Sequence, residues 1–249
     1  MSLLKDFWAQ GQVFAAKSRA QHYSLVLDDP YGHYLTVHLD VSDVQAGQRF
    51  LLPVWIPGSY MVRDFSKHIV AHSAATPEGP VVLEMLDKSC WVVQQDCAQL
   101  RITLRVFAHD DSVRAAWFDE QRAFVNGTSV FLRVEGRESE PCLLDVKQPS
   151  HAALKDWRLA TALDVVDAPD WGFGVFSAPD YHALVDHPLE AGDFELMAFD
   201  ACGVPHVMLL AGSYDAVDVD QDRLCADLKR ICETQIKRFE PETAEAPFN

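Results

Sequence analysis

Ten histidines, a scatter of carboxylates, and a run of Trp, Tyr and Arg between two prolines are the groups in this 249-residue chain with chemistry to offer. A hydrolytic metal centre needs imidazoles or carboxylates converging on one point, and its usual device is two histidines one helical turn apart. No His-Glu pair occurs anywhere, so H-E-x-x-H is absent. His33 and His38 are five apart on a strand-like segment and face opposite ways. His182 and His187 flank a short helical segment, again five apart. Neither spacing matches a ligand pair, and these histidines read as surface or hydrogen-bonded side chains. Ser59 follows Gly58, but Gly-Ser-Tyr is not the G-x-S-x-G of a nucleophile elbow. Gly172-Phe173-Gly174 has two glycines of a dinucleotide loop and no helix after it. No catalytic residue is predicted.

The most informative stretch is Pro53 to Phe65, Pro-Val-Trp-Ile-Pro-Gly-Ser-Tyr-Met-Val-Arg-Asp-Phe. Pro57 and Gly58 demand a sharp turn, since one fixes φ and the other tolerates positive φ. Around it stand Trp55, Tyr60, Met61 and Phe65, with Arg63 and Asp64 as the charges. Trp55, Tyr60 and Phe65 are expected to fill a core and make the turn structural. The other reading has Pro57 to Tyr60 facing a cleft.

The elements that must position these residues are mostly strands. Leu35, Val37, Leu39 and Val41 alternate with polar residues, and Leu100, Ile102, Leu104 and Val106 repeat the pattern. That is the period of half-buried antiparallel strands. Further strands are expected at 49–54, 68–75, 81–86, 91–95, 129–134 and 142–147, with Asn126-Gly127 as a hairpin turn. The fold class predicted is mainly β, a sandwich or saddle-like antiparallel sheet. After about residue 176 the texture changes. A helical turn or two from Tyr181 to Asp186 precedes strands at 194–200 and 204–210, joined at Cys202-Gly203. One long helix over about 220–240 follows, capped by Asp218 or Asp220, with Leu224, Leu228, Ile231 and Phe239 near one face. The segment before Ala20 reads as a short helix or an unpacked arm, and the residues after Pro241 as a polar tail.

Charge narrows the partners. Residues 1–150 carry 18 acids against 14 bases, and residues 151–249 carry 19 against 7, giving net charges of −4 and −12. Such acidity argues against nucleic acid and anionic membranes, and no apolar run is long enough to span a bilayer. The six cysteines, at 90, 97, 142, 202, 225 and 232, form no C-x-x-C. They read as reduced, mostly buried thiols. No signal peptide is seen, so a cytoplasmic location is expected, although Met1 to Leu3 also read as a cloning scar.

Four stretches resemble, in order, the glycyl aminopeptidase family of zinc metallopeptidases (metallopeptidase family 61): 30–41 around His33, 52–69 with the Pro-Gly-Ser-Tyr loop, 112–135, and 178–212. The second and third are specific. The resemblance implies an N-terminal β domain over 1–176, and over 177–249 the beginning of a thermolysin-like catalytic domain whose zinc motif lies beyond this chain. It implies no cofactor in the chain itself, zinc belonging to the missing domain. It also implies that the partner is that catalytic domain, with peptide substrate bound only in the full-length enzyme. In related two-domain aminopeptidases the β domain lends an acidic or amide side chain to the substrate's free amine. Asp119, Glu120 and Asn126 are the candidates here, with Trp55, Pro57, Gly58, Tyr60 and Arg63 as the motif loop. The competing reading is a self-sufficient β-rich module that binds peptide or protein in a groove lined by aromatics such as Trp117 and Phe118.

Overall fold

Strict alternation decides the main sheet. The computed structural model describes residues 20–212 and 219–239, so the segment before Ala20, the cap read at Asp218 and the tail after Pro241 lie outside the described residues. Eight strands form one sheet in the order β14 (Asp164–Asp167), β15 (Gly174–Ala178), β12 (Cys142–Val146), β1 (Gln21–Asp29), β2 (Tyr34–Val44), β8 (Cys97–Phe107), β4 (Ile69–Thr76) and β5 (Gly79–Val81). β1 runs parallel to β12 and antiparallel to β2. Register aligns Phe176, Leu144, Tyr23, Leu39, Ile102 and Ala74 in one row across six strands. All six are buried. Such a side chain contributes roughly 1.5–3 kcal/mol when it is a full-sized apolar one.

The opposite face is polar. There Asp40 and Arg101, directly across β2 and β8, make a two-pronged ion pair whose Nε–Oδ1 contact is 2.6 Å. His38 meets Thr103 Oγ1 at 2.9 Å on the same face.

Two smaller sheets share the core of the large one. One has the order β13 (Arg158–Ala160), β16 (Leu189–Gly192), β10 (Arg122–Val125), β9 (Ala116–Phe118). The other has the order β11 (Arg133–Val134), β3 (Gln48–Leu51), β7 (Cys90–Val93), β6 (Glu84–Asp87). The architecture is therefore mainly β, with one long C-terminal helix. Three local readings need correction. The segment 81–86 is shared between β5 and β6, which belong to different sheets. Residues 129–134 hold only the short β11, because a 3-10 turn at Gly127–Ser129 takes the start of that segment. Asn126-Gly127 is not a hairpin turn: Asn126 caps that 3-10 turn, and the β9–β10 reversal lies at Asp119 to Gln121.

By compactness the chain divides at Ala191/Gly192. The change of texture near 176 falls inside β15, which pairs with β12 in the large sheet. Also within the first unit, α1 (Tyr181–Asp186) starts at Asp180, whose Oδ1 accepts the Ala183 N–H. The second unit holds the hairpin of β17 (Phe194–Ala201) and β18 (Val204–Ala211), then α2 (Gln221–Phe239). Cys202 (φ 55°) and Gly203 (φ 84°) form the hairpin turn, both left-handed as a two-residue primed turn requires. Asp220 caps α2 by accepting the Arg223 N–H at 3.0 Å. No described helix is long and apolar enough to cross a membrane.

All six cysteines are free thiols. Cys90, Cys97 and Cys142 are buried, and burial pushes the Cys142 thiol up to about 12.

Candidate functional site

The loop from Val54 to Arg63 is closed at its base by a 2.6 Å hydrogen bond from Arg63 N–H to Val54 O. At its tip Ser59 N–H donates to Ile56 O, with Pro57 second and Gly58 (φ 76°) third, the residue pattern of a type II turn. Ser59 points inward and is buried, and its Oγ accepts from Arg63 Nε at 3.0 Å. Asp64, just outside, pairs with Lys88 at 2.6 Å. The charges of the motif are thus engaged within the domain.

That arrangement overturns part of the expected packing. Phe65 is in the core, but Trp55 is 55% exposed and Tyr60 97%. Once the turn gives Ser59 the inward position, its neighbour Tyr60 must face out. Met61 and Val62 follow at 63% and 68%. Four large apolar side chains within eight residues are held outward by a braced loop.

Behind the loop lies a cavity of about 420 Å³, whose walls include Leu52, Trp55 and Pro57 on one side and Thr128, Tyr181 and Val185 on the other. The far wall is built by close approach of α1 to the Gly127–Ser129 turn. A β-carbon at Gly127 would stand 2.9 Å from the Val185 Cα and 3.0 Å from the Phe131 ring, so only glycine fits. Asn126 Oδ1 accepts from Thr128 N–H at 3.1 Å, and its Nδ2 donates to Val113 O. Tyr181, fully buried, donates its hydroxyl to Phe131 O at 2.8 Å, and burial pushes that phenol well above its ordinary range. Arg133, also on the cavity, lies 3.5 Å from Glu138.

Asp119 and Glu120 stand elsewhere. They open the β9–β10 reversal, separated from Asn126 by the length of β10, roughly 13 Å for four residues at about 3.3 Å each. Asp119 Oδ1 accepts the N–H groups of Gln121 and Arg122, and Oδ2 accepts from Trp117 Nε1 at 3.0 Å. Glu120 is exposed. The structure therefore brings Asn126, through Thr128, to the cavity beside Trp55 and Pro57, and leaves the two acids at the other end of the hairpin. Phe118 is fully buried and lines no groove. Trp117 instead stacks on His109 (4.4 Å), which stacks on His33 (4.0 Å).

Sequence reasoning passed over Ser59, Thr128, Tyr181 and Val185. The Ser59–Arg63 bond spans only four residues but depends on the turn that points Ser59 inward. For the other three, the bridging of 128 to 181 and 185 is long-range and carries no local signal. Two of the histidines weighed as ligands bond to main-chain carbonyls instead. His33 Nδ1 donates to Phe118 O, and His187 Nδ1 donates to Ala183 O. Among the described residues no group of three His, Cys, Asp or Glu side chains converges as a metal-ligand set, so these residues do not fit zinc.

Comparison with known proteins accounts for the sequence patterns. An aminopeptidase N family protein from Idiomarina loihiensis superposes with a TM-score of 0.84 at 36% identity, over 92% of this chain and 37% of that one. This chain thus spans little more than a third of its relative's length. The M1 zinc metallopeptidase from Deinococcus radiodurans gives a TM-score of 0.45 at 12% identity, over 85% of this chain and 52% of that one, a likeness too weak to build on. A search of curated proteins found no match. Residues 22–193, which hold the Pro-Gly-Ser-Tyr loop, the cavity and both hairpin carboxylates, match the Peptidase M61 N-terminal domain, and the chain belongs to that family.

Proposed function

We propose that this chain is the non-catalytic N-terminal region of a longer metallopeptidase, and that it packs on and shapes the cleft of a catalytic domain that is not part of it. The observation that carries the reading is the exposure of the helix α2. The helix α2 has an apolar stripe of Leu224, Leu228, Ile231 and Phe239, yet none of its residues is buried, and Ile231 and Phe239 are 54% and 71% exposed. A helix with such a stripe needs another layer to cover it, and a two-stranded hairpin is too little. The 36% identical relative supports the same reading, since most of its chain lies outside the part this one covers. Within the proposal, the catalytic domain begins in the part of 177–249 that follows residue 193, substrate peptide binds only in the complete enzyme, and zinc is held by that enzyme's later residues. A cytoplasmic location belongs to the same proposal.

A self-sufficient binding module is the second reading, favoured by the cavity beside Trp55. The experiment that separates them measures turnover of a glycyl chromogenic substrate, with metal analysis, on the 249-residue chain and on the longer protein. The expected result is turnover and stoichiometric zinc in the longer protein only. Zinc-dependent turnover by the 249-residue chain would overturn the proposal.

A further inference from the structure

The described surface has several lone exposed apolar residues, such as Tyr31 and Val113, which are ordinary. Met85-Leu86 and Val165-Val166 are exposed in pairs, but the loop 54–63 presents three in a row, Tyr60 to Val62, beside Trp55 on a braced backbone. The Arg63–Val54 bond, the Pro57-Gly58 turn and the Ser59–Arg63 hydrogen bond hold it in one shape before any partner arrives. Large side chains presented by a pre-formed backbone lose little further freedom on contact, which is the physical mark of a docking surface. The cavity behind Trp55 extends the apolar surface inward. Arg63 is held by Ser59 and Asp64 by Lys88, so the loop offers a partner little free charge. Its complement is an apolar face and not a polyion.

We infer that the loop 54–63, with Trp55, Tyr60, Met61 and Val62 as its contact side chains, is the surface on which the following catalytic domain of the same polypeptide docks. This inference rests on the proposed function above. The occupant is argued from the 36% identical relative, which matches nearly all of this chain and has most of its own length left over to supply a covering domain. An intramolecular partner also explains a tyrosine at 97% exposure, since a permanently covered face escapes the penalty that free apolar surface carries in solution.

The test places a photoreactive benzoylphenylalanine in the longer protein at Tyr60 and, separately, at Val165, which is 64% exposed on the edge strand β14. Crosslinking from position 60, but not from 165, to residues after 249 of the same molecule is the expected result. If position 60 links only to a second copy, or to nothing, while 165 reaches the later residues, the docking surface is wrong and the N-terminal reading stands. If neither position reaches later residues and the 249-residue chain alone turns over the glycyl substrate, the functional reading itself fails. A second readout uses Tyr60→Ser, which removes an exposed ring that makes no described contact. Its melting temperature should be unshifted in the 249-residue chain and lowered in the longer protein; equal behaviour in both would overturn the inference.

Discussion

At the scale of single residues, the decisive quantity is whether a polar atom has already been used. Asp119 and Asn126 carry chemistry by type, and the sequence shows that they sit near turns. What it does not show is that Asp119 Oδ1 and Asn126 Oδ1 are taken up by backbone N–H groups two or three residues ahead, and Asp119 Oδ2 by the Trp117 indole. Asx-type bonds of this kind depend on the exact dihedrals of the turn, which composition does not encode. Gly127 is the opposite case, a residue whose importance is only spatial. Gly127→Ala would push a methyl group against the Val185 backbone, and backbone cannot swing aside as a side-chain tip does. The expected cost is about 1–3 kcal/mol, the range for overpacking a well-filled interior. Urea unfolding measures it, and a loss of only a few tenths would mean that α1 moves freely relative to the Gly127–Ser129 turn.

Among elements, legibility followed the hydrogen-bonding range. β2 and β8 were readable because their alternation is long and unbroken, and α2 because its apolar stripe repeats at helical spacing. β1 alternates as regularly through Tyr23, Leu25 and Leu27, yet it is not among the expected strands. β9, β10, β13 and β16 are only three or four residues each and leave too few positions for a period to show. The motif loop is legible from its Pro and Gly but its outward face is not, because which of Ser59 and Tyr60 turns inward is settled by the bond to Arg63. The β17–β18 turn was readable in full, and it carries a prediction. Gly203 has φ 84° with open space around its Cα, so Gly203→Ala meets no clash and pays only in backbone conformation. A loss of about 1–2 kcal/mol in that hairpin is expected, seen as faster amide exchange across β17 and β18 with the large sheet unaffected. Exchange that quickens equally in both units would show that they unfold together.

For the molecule as a whole, half-buried titrating groups set how stability responds to pH. His22, His38 and His68 all have pKa values lowered from the ordinary 6.5, burial being the largest cause in each. Asp40 opposes the shift at His22, and Asp110 opposes it at His68. At His38, Arg101 reinforces burial while Asp40 and Asp28 oppose it. Below pH 6.5 the unfolded chain therefore binds protons that the folded chain refuses, and stability must fall as the pH drops through that range. Glu190 works in the other direction. Burial raises its carboxyl above the ordinary 4.5 against the pull of Arg122, bonded to it at 2.9 Å through two contacts. The folded chain then holds a proton that the unfolded chain releases, so stability gains from this group as the pH falls toward 4.5. Urea midpoints measured from pH 7.5 down to 5 should decline, with His22→Gln, His38→Gln and His68→Gln each flattening the decline and Glu190→Gln steepening it. A profile that the histidine variants leave unchanged would mean that these imidazoles take up protons in the folded protein as readily as in the unfolded one, and that burial in this fold does not exclude their charge.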